Sequence, residues 1–450
     1  MRLLIAVSLA FLPVVGCQTY APVPLQEEAV LAAWRERSLT LPLVRDFATR
    51  QLPTTRISPV FDMSDGVMLA EAECLALLFN PSLRTSRLAA AVARVGSAEA
   101  GRWEDPRLGI DAERIISGTD NPWIVGGLLN LTIPVSGRLS IEKRLAASAA
   151  DVELLKVLDQ ERSVVAELRS RWADWSASKM RAEVIEQTIS DLTVITAALS
   201  KLQGAGEIDP TEARLFEIDS VRRKGQLIAA RRDTARLEAE LQELMGLSPA
   251  TPLKLIPSFS VVTVNAEATS TRHVKVQIAR AEYTVAENAL ELEIRKQYPD
   301  LDLGGGFGTD EGESRVLGGI SVPIPLLNGN RRAISEAFAR RDAMRAAFEQ
   351  ELIAVESAIA RLSNDTNAAS EHLMQIENLL IPLVDRQLSE SRRLLEIGEF
   401  NPLMLREAID SAADAKLEIL AARLSLSKAE AAQAYWTELA ESIPATGEKP

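Results

Sequence analysis

From residue 67 onward the apolar residues follow two spacings in alternation. Leu108, Ile110 and Ala112 alternate with polar residues, as do Leu301 and Leu303. Val125, Leu129, Leu131 and Ile133 share one side of a second segment, and Ile320, Val322 and Ile324 share one side of a fourth. A period of two with turn residues between (Ser117 to Pro122, and Thr309 to Ser314) predicts two hairpins, 107–117 with 123–134 and 300–308 with 315–325. Each segment is about nine to eleven residues, long enough to cross a bilayer when tilted. Elsewhere the apolar residues recur at three and four, as in Val152, Leu155, Leu158 and Val164 with charged residues between, which is a coiled-coil seam. Arg138 to Gln203 contains neither Pro nor Gly, and Arg331 to Ile397 contains only Pro382. Each therefore predicts a helix roughly 100 Å long at ~1.5 Å per residue, the second kinked at its proline. Shorter helices are expected before each hairpin, at about Leu69–Trp103 with Asn80–Pro81 on its approach, and at about Arg272–Gln297. Return helices are expected from Pro210 to Gly246 and from Pro402 to about Ser442, because Pro suits a first helical turn.

The same plan occurs twice, at an offset of about 192 residues. Trp103–Leu108 corresponds to Lys296–Leu301, Gly126-Gly127 to Gly318-Gly319, and Ile133-Pro134 to Ile324-Pro325. Gly206-Glu207-Ile208-Asp209-Pro210 corresponds to Gly398-Glu399-Phe400-Asn401-Pro402. The expected organisation is a signal segment at 1–16, an anchor and strap at 17–66 with one amphipathic stretch (Glu27 to Arg37), a first repeat at 67–250, a linker at 251–271, a second repeat at 272–442 and a tail at 443–450.

Composition narrows the possibilities. Of 450 residues, 47% are hydrophobic and only 4% aromatic, so helices rich in Ala, Leu, Glu and Arg dominate. A net charge of −13 without a dense Lys/Arg run argues against nucleic-acid binding. Two Cys and two His leave no zinc or disulfide framework and little room for acid–base catalysis. His273 and His372 have no ligand-type neighbours in sequence, and Cys74 sits in an Ala/Leu helix as a small buried hydrophobe. Gly304-Gly305-Gly306-Phe307-Gly308 departs from G-x-G-x-x-G and reads as a barrel strand or bend. No enzyme, cofactor or metal site is expected.

Arg2 followed by the apolar Leu3–Leu12 is a secretory signal, too short to span a bilayer. Val14-Val15-Gly16-Cys17 resembles the bacterial lipobox, which implies lipidation at Cys17, and Gln18 in place of Asp favours the outer membrane. Four membrane-length strands cannot close a barrel, and open edges are not tolerated in lipid. Closure needs roughly eight or more strands, so hairpins that enter a bilayer require several copies, and three would supply twelve.

Several stretches together resemble the TolC-like outer-membrane factors. Leu69-Ala70-Glu71-Ala72, Ala76-Leu77, Asn80-Pro81 and the Ala-rich stretch to Pro106 are similar to the family's first repeat. Tyr298-Pro299-Asp300-Leu301 leading into Gly304-Gly305-Gly306 is similar to the second, and the 206–210 and 398–402 motifs resemble the periplasmic tip turns. The resemblance covers about 67–445. It implies a mostly α fold with a small β part, in which long antiparallel coiled-coil helices and two membrane hairpins are completed as a trimeric 12-strand barrel and helical tunnel. It further implies a passive outer-membrane conduit, docked on a periplasmic adaptor and an inner-membrane pump of RND type. The tip style is similar to the CzcC-like heavy-metal branch, although few Met and His residues argue against metal-specific ligands, and drug efflux fits the resemblance equally. On this resemblance Gly206, Glu207, Pro210, Arg214, Gly398, Glu399, Pro402 and Arg406 form the tip and adaptor dock. Asp209, Glu212, Glu407 and Asp410 form either an acidic ring at the entrance or a solvated charged face, and Met404 stands where many relatives carry Asp. Two other readings remain: a lipid-anchored periplasmic coiled-coil scaffold, and the outer-membrane conduit of a protein secretion system.

Overall fold

A computed structural model describes residues 20–37, 44, 47, 66–114, 116–117, 123–259, 270–310, 313–325, 327–399 and 401–437. The signal segment and Cys17 lie outside the described residues. The strap contributes a short helix, α1 (Glu27–Arg35). The first half then runs α2 (Leu69–Phe79), α3 (Pro81–Glu99), β1 (Arg107–Arg114), β2 (Trp123–Ile133), α4 (Arg138–Ala205) and α5 (Pro210–Leu244). The second half runs α6 (Val274–Arg295), β3 (Leu301–Asp310), β4 (Glu313–Ser321), α7 (Arg331–Gln375), α8 (Ile381–Glu396) and α9 (Pro402–Thr437).

Three expectations are modified. The helix expected over Leu69–Trp103 is two helices broken at Asn80. The Asn80 side chain accepts from Ser82 N (2.9 Å) and Leu83 N (3.3 Å) to cap α3, while its Nδ2 donates to Leu244 O (2.9 Å) at the end of α5. The helix then stops at Glu99: Ala100 is extended and Gly101 takes positive φ (+71°), packed so closely that a Cβ there would lie 2.4 Å from Leu139 O. At Pro382 the chain inserts a π turn, Ile376–Leu380, and Ile381 N–H reaches back five residues to Ile376 O. Pro382 lacks the N–H for the regular ladder, and the extra residue accommodates its ring.

The four strands form one antiparallel sheet in the order β1-β2-β3-β4, with β2 and β3 joining the two halves in the centre. Below the sheet α3, α4, α6 and α7 stand side by side in that order, and further down α5, α4, α9 and α7–α8 do so. The molecule is therefore a palisade whose edges are β1, α3 and α5 on one side and β4, α7 and α8 on the other. Where α3 gives way to α5, the main apolar core gathers Leu75, Leu83, Leu168, Trp172, Leu241 and Met245. Val67 joins it through a parallel bridge to Leu255. Among the described residues no helix is long and apolar enough to cross a membrane.

Candidate functional site

The sheet has two unlike faces. Cross-strand partners share a face, so the register places Leu108, Ile110, Val125, Leu129, Leu303 and Phe307 on one side, continued by Val316 and Ile320. Most of these side chains are exposed. The other side carries Arg107, Asp111, Glu113, Asn130, Thr132, Asp302 and Arg315 and the glycines 109, 126, 304, 306, 308 and 319, with Ile124, Leu128 and Leu317 among them. Thr132 Oγ1 donates to Asp302 Oδ1 at 2.6 Å on this polar face. Glycine at 306 is required by space, since a Cβ would sit 2.6 Å from the backbone Gly127 O; at 304 a Cβ would press on the movable Asn130 Oδ1 at 2.9 Å. The Gly304–Gly308 run is thus strand, as expected. Trp123 lies under the Arg114 guanidinium (5.6 Å) at the hairpin end, while Trp103 and Tyr298 are exposed at the other end. Apolar alternation is the pattern of strands that face lipid on one side, while the aromatic girdle that usually bounds it is thin here, with only Trp123 and Phe307 inside the strands.

At the junction of sheet and helices, Arg138 binds Asp300 (2.9 Å), Glu142 (3.0 Å) and Glu104 (3.0 Å). These partners hold the guanidinium charged and fix the turn from β2 into α4 against the start of β3. The second half uses Asn330 instead, in left-handed conformation (φ 56°), with Nδ2 donating to Glu293 O and Oε2 at 2.8 Å.

The two helical turns at the far end are built alike. Gly206 N–H donates to Gln203 O (3.0 Å) and Glu207 N–H to Leu202 O (3.0 Å). Gly398 N–H donates to Leu395 O (3.2 Å) and Glu399 N–H to Leu394 O (3.0 Å). Both glycines have positive φ, 79° and 75°, which closes a helix end at no steric cost. Pro210 and Pro402 begin the return helices. Asp209 caps the first, accepting from Thr211 N (2.7 Å), and Asn401 caps the second, accepting from Leu403 N (2.9 Å). The Thr211 hydrogen bonds hold the Asp209 carboxyl below its usual range. One apolar cluster (Leu192, Leu199, Phe216, Leu405, Ile409) joins the two turns at one end of the molecule, so the expected tip residues are brought together.

Their charges are not equivalent. Arg406 donates from Nε and Nη2 to both oxygens of Asp219, which is buried, whereas its counterpart Arg214 is exposed. Arg223 binds Asp410 (3.1 Å) and Asp414 (3.4 Å), and Arg392 binds Asp191 (2.7 Å). These ties join the first half's helices to the second's. Of the four acidic residues expected at the entrance, Asp209 is engaged as a cap and Asp410 is paired, while Glu407 is exposed and Glu212 half-buried. Sequence reasoning missed Asp219; its signal is a charge at the next three-residue step after Ala213 and Phe216 on a buried face.

His273 is buried and caps α6. Its Nδ1 accepts from Lys275 N (3.3 Å) and its Nε2 lies 3.2 Å from Tyr435 O, so Nε2 carries the proton. His372 is exposed on α7. Burial pushes the Cys74 thiol up to about 11, leaving it an inert hydrophobe. Among the described residues no group of three or more His, Cys, Asp or Glu could hold a metal ion.

A membrane-length sheet carried on coiled coils of roughly 100 Å is also the fold of solved outer-membrane channels. CusC, a solved channel protein, has this fold, with a TM-score of 0.70 over 87% of this chain and 98% of its own at 14% identity. Residues 267–433 match the outer membrane efflux protein family. The chain is also similar to cobalt-zinc-cadmium resistance protein CzcC of Cupriavidus metallidurans, at 21% identity over 50% of this chain and 55% of that protein, about half the relative's length. It is similar to protein CyaE of Bordetella pertussis, at 23% identity over 69% of this chain and 71% of CyaE.

Proposed function

We propose that three copies of this chain close into a 12-strand barrel and helical tunnel, the outer-membrane component of a tripartite efflux system. It passively conducts small molecules or metal ions from periplasm to exterior. The two-faced sheet carries this reading. An apolar face needs lipid, a polar and glycine-lined face suits a wet lumen, and unpaired edges on β1 and β4 need partners. A periplasmic scaffold accounts for the helices but leaves the apolar face in water, so the conduit is favoured. A protein-secretion conduit shares the fold and differs in its partners. On the conduit reading Cys17 carries a lipid anchor, and the Gly206 and Gly398 turns with Glu207, Pro210, Arg214, Glu399, Pro402 and Arg406 meet a periplasmic adaptor. An inner-membrane pump, of RND type, supplies the energy. Glu212 and Glu407, together with the exposed Glu207 and Glu399 of the turns, leave acidic charge at the entrance, which biases cations inward. The likeness to CzcC supports metal cations as cargo, passing in solution and not on protein ligands.

The test is detergent extraction of the outer-membrane fraction, then negative-stain imaging of the purified particle. A three-fold tube with a helical section on the order of 100 Å supports the conduit. Monomers, or solid rods without a pore, overturn it.

A further inference from the structure

The strap helix α1 makes little contact with its own chain. None of its residues is buried, and Val30 and Leu31 stand 66% and 46% exposed. It is nevertheless fastened at one point. Arg37, just beyond it, donates from Nη1 to Phe79 O and Gly246 O, joining the ends of α2 and α5, and stacks on the Phe79 ring at 5.3 Å. Between α1, the start of α3 and the end of α5 lies a groove of about 1370 Å³, lined by Trp34, Val30, Phe79 and Pro81 with Arg84 and Glu243 among its charges. An amphipathic helix with an exposed apolar side and a largely apolar groove therefore sit together on one open edge of the palisade.

The opposite edge presents an apolar side chain at the same height. Gln160 and Glu161 of α4 contact Ser82 (3.4 Å) and Arg87 (2.6 Å) at the start of α3. Asp159, beside them, accepts from Tyr435 (2.7 Å), whose backbone holds His273 at the start of α6. One to two turns along, Arg280 of α6 lies over Phe348 of α7 at 5.8 Å. Helices α6 and α7 run antiparallel, so the α7 residues level with α1 fall about two turns beyond Phe348. Ile353 is there, 66% exposed on the unpartnered edge, while Val355 behind it is buried.

We propose that α1 is an inter-subunit clasp: its Val30–Leu31 face and the adjoining groove receive α7 around Ile353 of a second copy of this chain. The proposal rests on the ring closure described above. A ring brings the α3 edge of one copy against the α7 edge of the next, and both edges carry exposed apolar residues at this level. Arg37 pins the clasp to the joint of its own chain, and the neighbour's apolar edge covers the side chains that its own chain leaves in water. Because the two surfaces lie on opposite edges, no single chain satisfies its own clasp.

The test is disulfide trapping in the full chain in outer membranes, in a Cys74→Ala background. Leu31→Cys with Ile353→Cys is compared with Val92→Cys and Ala346→Cys, a pair on the same two helical edges but away from the strap. The single variants control for linkage through Cys17. Bands of two and three chain masses from both pairs, lost on reduction, support the clasp. Linkage by the Val92/Ala346 pair alone overturns the clasp and leaves the ring standing. Linkage by neither pair overturns the ring, and the clasp with it.

Discussion

Removal of Arg406 tests how the two tips are held together. Its guanidinium reaches both oxygens of Asp219, a carboxylate buried between α5 and α9. Arg406→Ala leaves that charge without its main partner. For a fully buried pair this costs ~3–5 kcal/mol. Here Arg406 is 31% exposed, and Arg222 lies 3.6 Å from the same carboxylate and can turn toward it. About half the full cost is therefore expected, ~2 kcal/mol. At ~1.4 kcal/mol per decade this is roughly a 30-fold rise in the local opening constant. Amide hydrogen exchange reads it directly, as faster exchange in 402–410 and 216–223 with the sheet unchanged. Asp219→Ala removes the stranded charge, so the double variant should open less than the two single effects combined, with coupling of about 1 kcal/mol or more. Arg214→Ala, the counterpart on an exposed surface, should stay within about twofold of wild type. Exchange unchanged in Arg406→Ala, or effects that add within ~0.5 kcal/mol, would refute the tie.

Three other outcomes follow from single residues. Burial lowers the His273 pKa, with Tyr435 O opposing and Lys275 and Arg162 reinforcing, and the cap requires an unprotonated Nδ1. The unfolded chain takes up a proton near the ordinary ~6.5 before the native state does, so stability is complete above that pH and declines as pH falls through it toward the lowered native value. His273→Asn, which caps without titrating, should flatten this dependence in thermal unfolding at pH 7.5 and 5. Gly306→Ala drives a methyl to 2.6 Å from Gly127 O and should weaken the β2–β3 pairing by ~1–3 kcal/mol, seen as lost heat-resistant assembly in membranes; Gly305→Ala, with open space, should be neutral. Arg138→Ala strands Asp300, Glu142 and Glu104 at the sheet–helix junction and should cost ~2–3 kcal/mol in chemical denaturation.

Much of this architecture is local in origin. The spacing of apolar residues alone separates strands from helices, because a strand alternates at two and a helix returns near 3.6. Gly206, Gly398, Pro210 and Pro402 mark the turns for the same reason: positive φ and a missing N–H are properties of single residues. What the linear pattern did not carry are the contacts between distant segments. Asn80 looks like a helix approach until Leu244 O arrives to accept from it. Pro382 looks like a kink until the π turn absorbs it. Arg214 and Arg406 are equivalents in sequence, yet only Arg406 finds a buried carboxylate, because Asp219 has no equal in the second half. The placement of α1 on an open edge depends on Arg37 meeting two helix ends 42 and 209 residues away. Side-chain periodicity is set within a few residues, whereas a charge is paired or stranded only by what the completed packing brings beside it.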